Sequence, residues 1–326
     1  MSAEILRVSL GIRPESQRIV GVSTREAIFL RVADGARVGF GECAPLPGLH
    51  TESVDDCMEA IEEWSDGLRE LHELPPSAAF AASCALAMVD GFGMHVCAPV
   101  QVASFFAGTA SELDDGAVAS LFDAPVVKLK IGRASESDDR ALLLRALAAL
   151  PNARFRIDGN RRLTLRECVA RMRGLDAARF EYLEEPLRDP LQLPELSRVT
   201  GIDIALDESV ADDSDHGAEI RESLAREECV VAWVLRMSAL GALDAISAHA
   251  ADAAHHGVEV VLSTAYESSF TLRIAQHLAG TLPNARRAHG IGTASLLQED
   301  SCAPAIPMRG ILEGAPLPVP FAEAWD

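Results

Sequence analysis

Between residues 99 and 300, short apolar runs alternate with helical stretches, and this alternation restricts the architecture more than any other feature of the chain. The runs are VQVASFF, VVKLKI, RFRIDGN, FEYLEEP, DIALDES, VVAWVLRM, VEVVLSTA and RAHGIGT. Helix-patterned segments lie between them, among them SDDRALLLRALAAL, TLRECVARMRGL and ALDAISAHAADAAHHG. Parallel strands need a long crossover, which a helix supplies, so the repeat predicts a parallel sheet. Eight such units predict its closure into a barrel.

The first 98 residues read differently. EILRVSLGI and REAIFLRVAD alternate as strands do, and a Gly-rich turn leads into RVGFGECAPLPG. Two helical stretches follow, ESVDDCMEAIEEWSDGLREL and the small-residue-rich SAAFAASCALAMVDGFG. Residues 1–98 are therefore expected to form an α+β domain and residues 99–300 the barrel. The Pro-rich residues 301–326 are expected to pack back on the first domain.

Composition narrows the function classes. With a formal charge of −20 and no basic cluster, nucleic acid is not an expected partner. No stretch approaches the roughly 20 apolar residues of a membrane span. No basic region leads into an apolar run at the N-terminus, so no secretory signal is read there. Seven scattered cysteines without a CxxC pair predict reduced thiols, a cytoplasmic location and no zinc site. Oligomeric state is not legible.

Barrel enzymes carry their chemistry at the C-terminal ends of the strands. Five consecutive runs end K-L-K, I-D-G-N, L-E-E-P, L-D-E-S and L-R-M-S. Lys130, Asp158, Glu184, Asp207 and Arg236 recur at intervals of about one βα unit, so their side chains are expected to converge on one axis. Any one of the three acids alone reads as a turn or N-cap residue. In register on successive strands, they read as oxygen ligands of a hard divalent ion, Mg²⁺ with Mn²⁺ as a substitute. Lys128 and Lys130 are the only lysines among 29 basic residues. Residues i and i+2 of a strand share a face, so both point inward or both outward. Inward, mutual repulsion and desolvation are expected to lower the ammonium pKa, so that a lysine can act as a base where arginine cannot. A neutral amine beside a metal-bound carboxylate would remove the proton α to it.

With these residues in place, the chain resembles the enolase superfamily in its muconate-lactonizing subgroup, most nearly the o-succinylbenzoate synthases. The resemblance spans GFGECAPLPGLHTES, VVKLKIG, RIDGNRRLT, EYLEEPL, IALDES and LSTAYESSF, nearly the whole chain. It implies an α/β fold, a modified TIM barrel (β/α)7β with an N-terminal α+β capping domain completed by the C-terminal segment. It implies that Lys130 is the base, Lys128 its electrostatic neighbour, and Asp158, Glu184 and Asp207 the Mg²⁺ ligands. Asn160 and Glu208 would be outer polar groups, Asn160 equally a turn residue. Glu185 competes with Glu184, and inward alternation along Tyr182, Glu184 and Pro186 favours Glu184. Ser263 and, more weakly, Ser268 would meet the substrate's succinyl carboxylate, though both also suit helix caps. Loop 39–50, with a hinge-like GFGE, would cover the mouth.

One departure stands out. The family usually carries a second lysine at the end of the sixth barrel strand, and here that position is Arg236. Arg236 can stabilise an enediolate or face the ring by cation–π contact, but it shuttles protons poorly. Racemisation needs two cycling groups, whereas a syn dehydration needs one. The expected activity is thus a Mg²⁺-dependent dehydration of a small anionic carboxylate. N-acylamino acid racemisation, dipeptide epimerisation, muconate cycloisomerisation and a non-catalytic anion-binding barrel are the alternatives.

Overall fold

The computed structural model describes residues 2–212 and 214–325. It opens with an antiparallel sheet, β1 (Ser2–Gly11), β2 (Thr24–Asp34) and β3 (Arg37–Cys43), paired in that order. The central strand β2 is buried on both faces. Ile28, Leu30 and Val32 pack beneath the cap helices, while Phe29 meets Phe270 of the barrel at 6.3 Å between ring centres. The near-continuous apolar stretch AIFL suits a strand covered on two sides.

The helix Val54–Ser65 starts at a capping box: the Asp56 amide donates to Ser53 Oγ at 3.1 Å, and the Ser53 amide to Asp56 Oδ2 at 2.8 Å. The helix Pro76–Val89 is buried along most of its length and lies directly on β3. That approach is possible because β3 reads Gly-Phe-Gly. A Cβ on Gly39 would overlap the Ala85 carbonyl oxygen, and one on Gly41 the Ala81 carbonyl oxygen. The glycines of GFGE are thus strand residues under a helix, not the hinge-like loop expected from sequence.

The barrel strands are β4 (Val100–Gln101), β5 (Ser104–Phe106), β6 (Val126–Lys130), β7 (Arg154–Asp158), β8 (Phe180–Glu184), β9 (Ile204–Leu206), β10 (Val230–Arg236) and β11 (Glu259–Ser263). Strands β5 to β11 form one parallel sheet in sequence order. The eighth run, 287–293, is not a regular strand, but it closes the circle through isolated bridges. Ala103 donates to the His289 carbonyl at 2.9 Å and Gly290 to the Leu262 carbonyl at 2.8 Å. The first run is split, and its β4 half pairs antiparallel with β12 (Ile311–Leu312). The result is a modified TIM barrel beneath an antiparallel cap. Downstream of β12, Phe321 stacks edge-on against Phe29 and Trp325 tilts against Phe40. No helix among the described residues is long and apolar enough to cross a membrane, and all seven cysteines are free thiols.

Cap and barrel are also joined by buried polar groups. Glu42 accepts from the Ser268 amide at 2.9 Å, Ser268 Oγ at 2.6 Å and Thr271 Oγ1 at 2.6 Å. Burial outweighs those donors and pushes the Glu42 carboxyl up to about 7, with Glu267 adding repulsion. Nearby, Arg25 spends its guanidinium on the Ala44 and Pro45 carbonyls.

Gly41→Ala is expected to cost about 1–3 kcal/mol through overpacking, read from urea unfolding. Gly116→Ala, in an open helix position with nothing closer than 3.4 Å, is expected to be neutral or slightly stabilising. For Glu42, the folded pKa of about 7 exceeds the ordinary 4.5. The folded state then holds a proton that the unfolded chain releases, so this group's stabilising contribution is present below pH 4.5 and lost by about pH 7. Glu42→Gln is expected to make the fall in urea midpoint across that window shallower; an unchanged slope would contradict the assignment.

Candidate active site

Parallel register sets the site. Lys128 pairs with Arg156, Lys130 with Asp158, and Asp158 with Glu184 across β6, β7 and β8. Residues two apart share a face, so these side chains all enter the barrel. Beneath them, Tyr182, Ala205, Ala232, Val234 and Val261 form an apolar floor. Above it a cavity opens towards solvent, lined by Lys128, Lys130, Asp158 and Glu184 on one side. Arg236, Ser263, Thr264, Tyr266 and Thr293 line the rest. Strand β10 is the fourth neighbour of β6 in the sheet, so Lys130 and Arg236 stand on opposite walls.

Charges of opposite sign interleave at this level. Lys128 Nζ lies 2.6 Å from Glu184 Oε1 and 2.9 Å from Asp158 Oδ2. Lys130 Nζ donates to Asn160 Oδ1 at 2.7 Å and lies 3.2 Å from Asp158 Oδ2. Arg236 forms an ion pair with Asp207. Asn160 takes a left-handed backbone at φ 43°, from which its amide donates to Asp158 Oδ1 at 3.0 Å and its side chain reaches Glu208 at 3.3 Å. Asn160 is thus both a turn residue and the partner of Lys130.

The electrostatics correct one expectation. Burial alone would lower the Lys128 ammonium, but Asp158, Glu184 and Asp207 more than offset it and hold it well above the ordinary lysine value. Lys128 is a fixed cation, not a group made titratable by its neighbour. Burial would raise Asp158, yet Lys128 and Lys130 hold it far below the usual range. Glu184 goes the other way, pushed up to about 7 by burial, with Asp158 and Asp207 adding to the rise. Glu208 is pushed up to about 8 by burial and by Asp207.

The two glutamates of E-E-P separate by direction. Glu184 faces the cavity. Glu185, fully buried at φ 28°, turns away and accepts from the Asp207 amide at 2.8 Å, the Ser209 amide at 2.9 Å and Arg161 Nε at 2.6 Å. It clamps the D-E-S turn and so aims Asp207. Ser263 lines the cavity. Ser268 does not, because it is buried against Glu42 and accepts from Ser301 Oγ at 2.7 Å; the expected substrate contact is corrected to a bond between cap and barrel. From loop 39–50, His50 reaches Ser238 Oγ at 3.2 Å, and Ser238 in turn donates to Glu267 at 2.6 Å. Leu49 and His50 thereby line a second cleft, outside the cavity, together with Asp207, Glu208 and Arg236.

Sequence reading missed Arg156, two residues below Asp158, and, although it turned Tyr182 inward below Glu184, gave Tyr182 no place in the site. Arg156 donates to Glu181 at 2.7 Å and to the Ala288 carbonyl at 2.6 Å, with its guanidinium 4.8 Å from the Tyr182 ring centre. Thr264, Tyr266 and Thr293 were missed as well, because loops without a period bring them in.

Among the described residues, no three Asp, Glu, His or Cys side chains are gathered at metal-ligand spacing; Lys128 and Arg236 stand among the acids instead. The donor chemistry nevertheless fits a hard divalent ion. The ligating atoms would all be carboxylate oxygens from adjacent strand ends. Asp158 Oδ2 is buried and is met by the two ammonium groups, Lys128 Nζ at 2.9 Å and Lys130 Nζ at 3.2 Å. The Glu184 and Glu208 carboxyls are raised chiefly by burial, and the neighbouring acids add to the rise.

Comparison with known proteins identifies the family. Residues 110–311 match the family described as enolase C-terminal domain-like, and residues 11–89 match the MenC N-terminal domain. An o-succinylbenzoate synthase of Salmonella paratyphi B is 33% identical over 297 residues, covering 87% of each chain; that of Salmonella typhi is 32% identical over the same share. Among solved structures, the o-succinylbenzoate synthase of Thermosynechococcus elongatus BP-1, complexed with Mg in the active site, superposes with a TM-score of 0.72 at 22% identity, covering 99% of this chain and 98% of that one. The L-Ala-D/L-Glu epimerase of Bacillus subtilis gives 0.76 at 19% identity, covering 97% and 100%. At such identities the structural likeness speaks for the fold alone. Taken with the sequence matches, it establishes that the chain belongs to the enolase superfamily and, within it, to the o-succinylbenzoate synthase family of enzymes.

Proposed function

We propose that the protein is a Mg²⁺-dependent o-succinylbenzoate synthase, which dehydrates 2-succinyl-6-hydroxy-2,4-cyclohexadiene-1-carboxylate in menaquinone biosynthesis. The observation that carries this reading is the pairing of walls: a lysine amine, Lys130, faces a guanidinium, Arg236, across one cavity. Of the two, only the lysine can both take and return a proton.

Asp158, Glu184 and Asp207 would hold the Mg²⁺ ion, which when bound supplies positive charge to the substrate carboxylate and the carboxylate cluster. Lys130, unprotonated, takes the proton from the ring carbon α to the carboxylate. The electron pair left behind is drawn towards the carboxylate, and Lys128 stabilises the charge that develops there. As the electrons return into the ring, the C–O bond on the neighbouring carbon breaks. Lys130 gives its new proton to the departing hydroxyl, so water leaves and the ring becomes aromatic. Proton removal and return occur on one face, which makes the elimination syn. Asn160 orients the Lys130 amine between strokes. Ser263, Thr264 and Tyr266 offer hydroxyls to the succinyl arm, and the floor around Tyr182 and Val234 keeps water from the ring.

The same arrangement speaks against racemisation or epimerisation, which require a second titrating group where Arg236 stands. An inert anion-binding barrel would not explain an amine held at 2.7 Å by Asn160 on the cavity wall.

Lys130→Ala is expected to lower kcat about 10²–10⁴-fold, the range of a lost general acid–base, while Arg236→Lys stays active. EDTA is expected to abolish turnover and added Mg²⁺ to restore it. Racemisation of an N-succinylamino acid, followed by α-proton exchange in deuterated solvent, at a rate rivalling dehydration would overturn the preference.

A further inference from the structure

Arg236 occupies a position that no other side chain at the mouth shares. Asp158 and Glu184 line the inner cavity, whereas Asp207 and Glu208 line the outer cleft between the barrel rim and the cap residues Leu49 and His50. Arg236 lines both spaces. It is the last residue of β10, whose neighbour β9 runs directly into Asp207, so its guanidinium meets Asp207 at the boundary between cavity and cleft. One ion that joins Asp207 to Asp158 and Glu184 meets a carboxylate whose Oδ2 is already held by Arg236.

We propose that Arg236 is a tethered competitor for the metal: its guanidinium guards Asp207, and it moves to Glu208 on the cleft side when a divalent cation takes that carboxylate. The proposal rests on the metal reading given above. Glu208 is the carboxylate free to receive it. The Glu208 side chain is adjacent in sequence to Asp207, lines the same cleft and, among the described residues, has a single hydrogen bond, the long 3.3 Å contact from Asn160. Glu185 is already saturated by Arg161, Ser209 and the Asp207 amide. A lysine here would reach Asp207 through one compact ammonium and could become neutral. Arginine keeps its charge and presents a planar fork of donors that matches a carboxylate. The substitution therefore makes metal loading conditional on displacing a cation, and the chain binds its metal more weakly than the bare acid set would. Arg236 acts here as a positioning residue on Asp207 rather than on the reacting carbon.

The test is a Mn²⁺ titration of the intact protein, with free Mn²⁺ read by electron paramagnetic resonance, for wild type, Arg236→Gln, Glu208→Gln and the double variant. Coupling between two sites typically amounts to about 5–150-fold, and Arg236→Gln is expected to bind Mn²⁺ more tightly by a factor in that range. Glu208→Gln is expected to weaken binding more in the wild-type background than beside Arg236→Gln, because only there does it remove the second dock. Equal Mn²⁺ affinity for wild type and Arg236→Gln overturns the proposal while leaving the metal reading intact. Failure of both folded proteins to bind Mn²⁺ overturns the metal reading itself. Should Arg236→Gln not fold, a crystal structure of the wild type grown with Mg²⁺ decides. The guanidinium is expected off Asp207 and against Glu208; retention of the Arg236–Asp207 contact beside a bound ion overturns the proposal.

Discussion

Four acids and three cations share the mouth of one barrel, and the rest of the structure serves to keep them there. Buried charges persist only when paired, and here the pairing is dictated by β register. Lys130 sits opposite Asp158, and Asp158 opposite Glu184, so two acids come level with the lysines and Lys128 Nζ reaches both of them. A slip of one residue in β7 would turn Asp158 out to the helical layer and bring Ile157 in. The apolar floor and the aliphatic helical layer therefore do more than stabilise; they forbid the register shifts that would scatter the charges.

The cap takes part in that constraint. Because β2 is buried on both faces, it cannot separate from the barrel without exposing Phe29 and its partners Phe270 and Phe321. Glu42 carries the same connection into polar chemistry by binding the amide and hydroxyl of Ser268, 226 residues away. Ser268 opens the helix Ser269–Ala279, which follows directly on the loop that brings Thr264 and Tyr266 to the cavity. Cap position, helix start and substrate wall are thus mechanically one unit.

Arg236 gives the site its individual character. A superfamily barrel with amines on both walls can move protons on both faces of a substrate. Replacing one amine by a guanidinium keeps the charge and removes the proton traffic, which suits a one-face elimination. The same replacement puts a permanent cation on Asp207. On the two proposals made above, reaction choice and metal loading would both depend on one residue, through the single property that it does not deprotonate.

Much of this was legible in the chain itself. The βα alternation fixed the barrel, and period-two spacing put Lys128 with Lys130 and aimed Glu184 rather than Glu185 inward, because local geometry repeats at known intervals. Arg156 and Tyr182 were within reach of the same rule. Only the tertiary structure decided the rest. Ser268 looked like a substrate contact until Glu42 claimed it, and GFGE like a hinge until a helix lay across it. Each of those outcomes turns on what approaches from a distant part of the chain. Periodicity tells a side chain which way to point; it does not say which charge or which backbone will be there to meet it.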